Sequence, residues 1–559
     1  MFRKGAAKDS ASDARHRRFR LSRCGALSCA RPLSRIASMT GFSDEDASAL
    51  LALATLIGAA ALPFLFRLAF GRRRRKGRAR AASVALALGR SRRLALVAAA
   101  GTERLLLLGE TSDVVVESHI ADAAPAVETP SPPSELRGLF SLGAVSLLAG
   151  VAVGALCGSF RLILDAAGRM RMAIPDWFAE RPLLGLAIMV AGAALATGLA
   201  AYLVRRFVPA AVGSGIPHVE SVIDGDEPPS PPLLLPVKFI GGVLAMGAGL
   251  ALGREGPSVQ MGATLAHQFG RYLRYDWRDQ QSLLAAGAGA GLAAAFNAPL
   301  AGAAFVLEEL LRRFDMRHAT IALGASVGAI SVVRLLLGPE PELRVATHYP
   351  TGPLDVPLGL ALGAATGLAS LAYNRAILRA LDIADRSPWP AEAKAALVGA
   401  GVGAIGFLAP DLVGGGDNLT QKTLDGAYAL DALPLVFALR FALGVVSYAA
   451  GTPGGLFAPL LALGAEIGLF FGLMIPGEDG PTMGMKFALI GMASFFAAVV
   501  RAPLTGMILI TEMTDNSQLL LPMLAACFSA MAIAAVCRNE PIYDALKDRS
   551  ARLARRAET

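Results

Sequence analysis

A carboxylate set between two glycines, with a proline two residues on, occurs at Gly253-Arg254-Glu255-Gly256-Pro257. It lies between the apolar run Val237 to Leu252 and a second run through Met261. The pattern reads as a helix start, where backbone N–H groups lack partners and the dipole end is positive. Such an end attracts anions, and an ionisable group held between membrane-grade segments marks an ion or proton pathway by default. An interfacial loop with a solvated Glu255 is the plainer alternative, since acids are common at helix starts. Gly213-Ser214-Gly215-Ile216-Pro217 can offer an anion a hydroxyl and neighbouring N–H groups; a tight turn between helices is the competing reading. Gly454 to Pro459 has apolar side chains, but its backbone N–H groups can coordinate an anion or simply pack a helix start. Tyr543 lies just past the last apolar window, as a donor to an anion or as part of an aromatic belt.

The elements that position these residues read as membrane helices. Of 559 residues, 54% are hydrophobic and 17% charged, and apolar windows of about 20 residues recur almost to the end. This predicts an all-α polytopic membrane protein rather than an enzyme. Sixty glycines allow close helix approach and broken helices. Cys24, Cys29, Cys157, Cys527 and Cys537 show neither metal spacing nor a disulfide framework, so no metal or cofactor is expected. The net charge of +9 gathers in the first 80 positions and beside apolar segments, which points to topology and lipid contact, not nucleic acid.

Residues 1–38 hold ten Lys and Arg and no long apolar run, and are expected to be a disordered extension, with Met39 an alternative start. Residues 39–137 read as a membrane anchor at Ala47 to Phe70, a basic stop at Arg72 to Arg80 that belongs in the cytoplasm, a few strands within Ser83 to Ser118, and a Pro/Ala linker from Ala121 to Pro133. From Gly138 to about 555, apolar windows come densely, among them 281–312 and 502–537 as single stretches, with a C-terminal helix at about 541–553. An internal repeat runs through this part. Ala298-Pro299-Leu300-Ala301-Gly302 recurs as Ala502-Pro503-Leu504-Thr505-Gly506, each followed by an acid, Glu308 and Glu512. The prolines are 204 positions apart, Pro257 and Pro459 are 202 apart, and the clusters at Gly213 and Gly414 are 201 apart. A near-constant offset predicts two homologous halves, about 138–340 and 354–537, with the site where their broken helices meet.

With GSGIP at 213–217, GREGP at 253–257, AAFNAPLAG at 294–302, GGLFAP at 454–459 and RAPLTG at 501–506, the chain resembles the CLC family of chloride channels and chloride/proton antiporters. The resemblance covers about Gly138 to Leu553. It implies a CLC-like fold of two inverted repeats, a homodimer with a pore in each subunit, and a mid-membrane anion site. Ser214 and Tyr543 would then donate hydroxyls to chloride beside the backbone N–H groups of Leu456 and Phe457. Glu255 would be the gate and external proton acceptor. Exchangers of the family carry an inner glutamate, which the resemblance places at Glu309; the alternative is that Glu308 and Glu309 end a helix and pair with Arg312 or Arg313. Ser214 favours chloride, since nitrate-preferring members tend to carry proline there. The implied function is chloride/proton antiport across a bacterial-type inner membrane, with a chloride channel without proton coupling as the alternative. Few residues follow Ala545, so paired nucleotide-binding domains are not expected. A remote alternative of another class is a membrane serine hydrolase with Ser214 as nucleophile and His218, four residues on, as base.

Overall fold

A computed structural model describes residues 84–87, 93–99, 102–108, 114–117 and 132–558, except 346–348, 350 and 477–479. The expected extension at 1–38, the anchor and the basic stop lie outside the described residues. Within Ser83 to Ser118 the chain forms an antiparallel meander of β1 (Val84–Ala87), β2 (Arg93–Ala99), β3 (Thr102–Leu108) and β4 (Val114–Glu117), in that order, with a register shift between Leu105 and Leu106.

The regular elements described after these strands are helices. The first half comprises α1 (Pro132–Trp177), α2 (Pro182–Phe207), α3 (Ile216–Asp224), α4 (Leu234–Gly247), α5 (Glu255–Tyr272), α6 (Trp277–Phe296), α7 (Pro299–Phe305) and α8 (Met316–Leu337). The second repeats it as α9 (Asp355–Arg386), α10 (Ala391–Leu408), α11 (Asp417–Leu424), α12 (Leu433–Ala449), α13 (Phe457–Leu473), α14 (Gly480–Val500), α15 (Pro503–Thr514) and α16 (Leu520–Val536), and α17 (Ile542–Glu558) follows. Six of these, α1, α2, α8, α9, α10 and α14, are long and apolar enough to cross a membrane. Leu183, Leu195, Leu335, Leu408 and Val536 stand exposed, as lipid-facing side chains do. The chain is a multi-pass integral membrane protein.

Four boundaries differ from the sequence reading. The window 281–312 is not one helix: Asn297 adopts a left-handed backbone, φ 55°, which closes α6, and Pro299 opens α7 where its missing N–H costs nothing. Window 502–537 breaks likewise, at Asp515 with φ 51°. The helical part begins at Pro132 rather than Gly138, and the last helix runs to Glu558 rather than 553.

The packing obeys the repeat. In the first half α1 packs on α8 and α5 on α6; in the second α9 packs on α16 and α13 on α14. Between halves, α2 meets its own counterpart α10, and α7 meets α15. The tight pairs need glycine on both sides. A methyl on Gly262 would run into the carbonyl of Gly287, and one on Gly464 would come within 2.6 Å of the Gly491 carbonyl oxygen. At the centre, the Gly253 N–H donates to the Gly455 carbonyl at 2.9 Å and the Gly455 N–H donates back to the Gly253 carbonyl at 2.7 Å. These residues are 202 positions apart. A residue bonded reciprocally and antiparallel to its own repeat counterpart lies on a two-fold axis, so this bridge marks the axis that inverts one half onto the other.

Candidate anion and proton site

Three helix starts converge beside that axis. Gly213 and Gly215, at φ 60° and 81°, take the left-handed backbone that glycine adopts without strain. Between them Ser214 is turned inward and buried, immediately before α3. Gly256, in the first turn of α5, packs so closely on Ser214 that an added methyl would come within 2.9 Å of the Ser214 Cα. Leu456 and Phe457 open α13, so their N–H groups have no intrahelical acceptor. Both are fully buried. The Phe457 ring is held from several sides, by Phe496 at 4.7 Å, Phe305 at 5.9 Å, Tyr543 at 6.1 Å and Phe296 at 6.3 Å between ring centroids. Tyr543 enters from α17, nearly parallel to the Phe457 ring, with its hydroxyl in the neighbourhood of Ser214. Neither Ser214 Oγ nor the Tyr543 hydroxyl has a hydrogen-bond partner of normal geometry, though both are buried. Two unfilled hydroxyls beside free N–H groups suit an anion, because donors dominate the lining.

Glu255 is the first residue of α5 and wholly buried. Its carboxylate folds back over Gly253, where a methyl group would strike Oε2, and lies against the backbone N of Ala458 in the first turn of α13. Neither oxygen has a partner of full hydrogen-bond geometry. The carboxylate thus rests at a helix start where an anion would otherwise sit. Arg254 points the other way, into an ionic cluster with Glu342 (2.5 Å), Asp165 (3.4 Å) and Asp417 (3.4 Å), and Arg161 joins it through Glu342 at 2.5 Å.

Glu309 belongs to a separate cluster. It lies in a π-helical turn, Val306–Leu310, which follows α7 and interrupts the α-helical ladder, a device frequent at functional sites. Glu308 and Glu309 do not pair with Arg312, which is taken by Asp544 of α17 at 2.6 Å. Glu308 instead faces the second half, accepting from the N–H groups of Leu504 (3.0 Å) and Thr505 (2.7 Å) and from the Thr505 hydroxyl (2.8 Å). Glu309 is left buried with Oε1 unpartnered, near Glu220 of α3, Asp544 and Arg312. Glu220, buried with an unpartnered oxygen, escaped the sequence reading; a lone acid one turn into α3 carried no spacing signal. Also missed were two buried cations. Lys238 of α4 donates to the carbonyls of Ala211 (3.0 Å) and Gly213 (2.7 Å), and Arg440 of α12 donates to those of Leu412 (3.0 Å), Gly414 (2.9 Å) and Gly415 (3.1 Å). They are 202 positions apart, so the repeat offset could have found them.

The hydrolase arrangement is not assembled. His218 turns Nδ1 toward Ser230 at 3.5 Å and Nε2 toward Glu227 at 3.3 Å, away from Ser214, whose hydroxyl no base approaches. Among the described residues no group of His, Cys, Asp and Glu is arranged to hold a metal.

Inverted halves, broken helices aimed at the axis, and an inward Ser214 beside a buried Glu255 define a transporter of the CLC type. The chain belongs to the voltage gated chloride channel family, whose profile matches residues 192–535. It is 37% identical over 426 residues to the H(+)/Cl(-) exchange transporter ClcA of Vibrio cholerae, covering 74% of this chain and 90% of that protein. It is 36% identical over 423 residues to the ClcA of Salmonella arizonae, covering 73% and 89%. Among solved structures, a slow cyanobacterial Cl-/H+ antiporter superposes with a TM-score of 0.69 at 31% identity, covering 73% of this chain and 97% of that one. A eukaryotic CLC transporter superposes with a TM-score of 0.64 at 23% identity, covering 74% of each chain, a likeness of fold alone.

Proposed function

We propose that the chain is a secondary active chloride/proton antiporter, with Ser214, Tyr543 and the N–H groups of Leu456 and Phe457 as the chloride site. Glu255 is the gate and external proton acceptor, and Glu309 the internal proton relay. The observation that carries this reading is the pair of buried acids, each with an unpartnered oxygen, Glu255 at a helix start of the donor-lined site and Glu309 in a separate cluster with Asp544 and Arg312. A carboxylate resting at a helix start competes with chloride while charged and releases the position when it takes a proton. A channel has no need of the second acid. The exchanger names of the relatives agree with this reading. The working unit is proposed to be a homodimer in a bacterial inner membrane. Reconstitution into liposomes with a chloride gradient, following chloride and pH together, tests the function: uphill proton movement driven by chloride is expected, and chloride flux without it would indicate the channel.

A further inference from the structure

Beneath each of the two repeat-related glycine loops lies one buried cation. Lys238 holds the loop at Gly213, and Arg440, 202 positions on, holds the loop at Gly414. The halves differ in what compensates these charges. Among the described residues no carboxylate lies within salt-bridge distance of either cation; Lys238 is fully buried with no carboxylate acting on it, whereas Glu466 and Asp417 act on Arg440 from beyond that distance. In the second half, α13 carries Glu466 at the position that Thr264 occupies in α5, again 202 positions apart. Thr264 is neutral and spends its hydroxyl on the Gln260 carbonyl at 2.8 Å. Glu466 is 1% exposed and neither of its oxygens has a hydrogen-bond partner. It lies one turn beyond Ala462, and a methyl on Gly416 would be 3.1 Å from the Ala462 Cβ and 2.8 Å from Arg440 Nη2. Glu466 acts on the guanidinium through space, without a direct ion pair. Asp417 of α11 and Tyr428 also face this pair, while Lys486 of α14 is engaged by Asp355 at 2.6 Å.

Resting on the chloride site proposed above, we propose that Glu466 is a positioning residue that cancels the charge of Arg440. The anion-attracting field is thereby weighted toward the first-half loop, where Lys238 is uncompensated beneath Ser214. The repeat supplied one cation to each loop, Arg171 of α1 adds a second beside Gly414, and Glu466 answers Arg440. The same Gly416 methyl position is 3.8 Å from the Ala458 carbonyl oxygen in the first turn of α13, so an uncovered Arg440 charge would also act on the helix start that faces the anion.

The test is calorimetric titration of the purified full-length chain with chloride. Glu466→Gln, which keeps the volume and removes the charge, is expected to bind chloride about three- to tenfold more tightly, the order expected for a unit charge uncovered within a Debye length. Glu466→Asp should bind as the unmodified chain does, and Glu466→Gln combined with Arg440→Gln should return to the original Kd. An unchanged Kd in Glu466→Gln overturns the proposal. If Glu466→Gln fails to fold, compensation predicts that the double variant is recovered as folded protein; failure of both overturns it as well. An unmodified chain that binds no chloride would instead overturn the chloride reading on which this rests.

Discussion

Glu308 and Glu512 each cap a helix of the opposite half. Glu308 accepts from the N–H groups of Leu504 and Thr505 at the start of α15, and Glu512 accepts from those of Leu300 (3.0 Å) and Ala301 (2.8 Å) at the start of α7. All three pairs, Glu308 with Glu512, Leu300 with Leu504 and Ala301 with Thr505, are 204 positions apart, so the exchange obeys the same two-fold relation as the bridge at Gly253 and Gly455. The two adjacent acids Glu308 and Glu309 thus divide the work: one joins the halves and the other faces the ionic cluster around Asp544.

That division separates their variants. Glu308→Ala leaves two N–H groups at a helix start without acceptors and is expected to cost about 1–3 kcal/mol of stability. Proton coupling should survive. Thermal unfolding in detergent, together with the liposome assay, checks both halves of the statement; a stable Glu308→Ala protein without coupling would make Glu308 the relay.

Glu309→Gln should show the reverse, a near-normal melting temperature with chloride transport retained and proton coupling lost. Glu255→Gln should keep chloride movement, lose proton coupling and lose the dependence of chloride flux on external pH, because one carboxylate is assigned both gating and proton uptake. Flux recorded across a series of external pH values distinguishes the two. Coupling at the unmodified ratio in Glu309→Gln would refute the role given to that residue.

Ser214→Pro removes the hydroxyl donor while the flanking left-handed glycines remain. A compact halide that must replace its hydration loses more than a larger, weakly hydrated anion, so preference should move from chloride toward nitrate. Competitive titration of the two anions measures the ratio, and an unchanged ratio would remove Ser214 from the ligand set.

Much of this arrangement was legible in the sequence, because the repeat and the helix starts are written in residues with strong local effects. Glycines and prolines at Gly213, Gly253, Pro257, Pro459 and Pro503 announce broken helices directly. The offset between the halves is visible without any packing information. What stayed hidden depends on distance across the fold. Nothing local distinguishes Glu308 from Glu309, and only the approach of α15 shows which one is engaged. Arg254 stands beside Glu255 in the chain, yet it is drawn away by Asp165, Glu342 and Asp417 from three other segments. The breaks at Asn297 and Asp515 were missed because a single left-handed residue inside an apolar run leaves the hydropathy unchanged.

Helix contact in the second half should be sensitive to one methyl group. Gly491→Ala places a Cβ against the Gly464 carbonyl and within 2.9 Å of the Gly468 Cα, all backbone on a neighbouring helix, and overpacking of this kind costs roughly 1–3 kcal/mol. Gly143→Ala meets nothing within 4 Å and should be neutral or slightly stabilising. A comparison of their melting temperatures decides the matter; equal values would mean that α13 and α14 can move apart without cost.

The crossed caps also set an order on biosynthesis. A chain made from its N-terminus presents Leu300 and Ala301 long before Glu512, which lies more than 200 residues downstream, so α7 must wait with two unanswered donors until the second half has been translated. Through that interval the nascent first half is an unfinished structure in the lipid, held by its own helix contacts alone. Its last stitch is made by a segment of the second half, which leaves the ribosome only after the first half is complete.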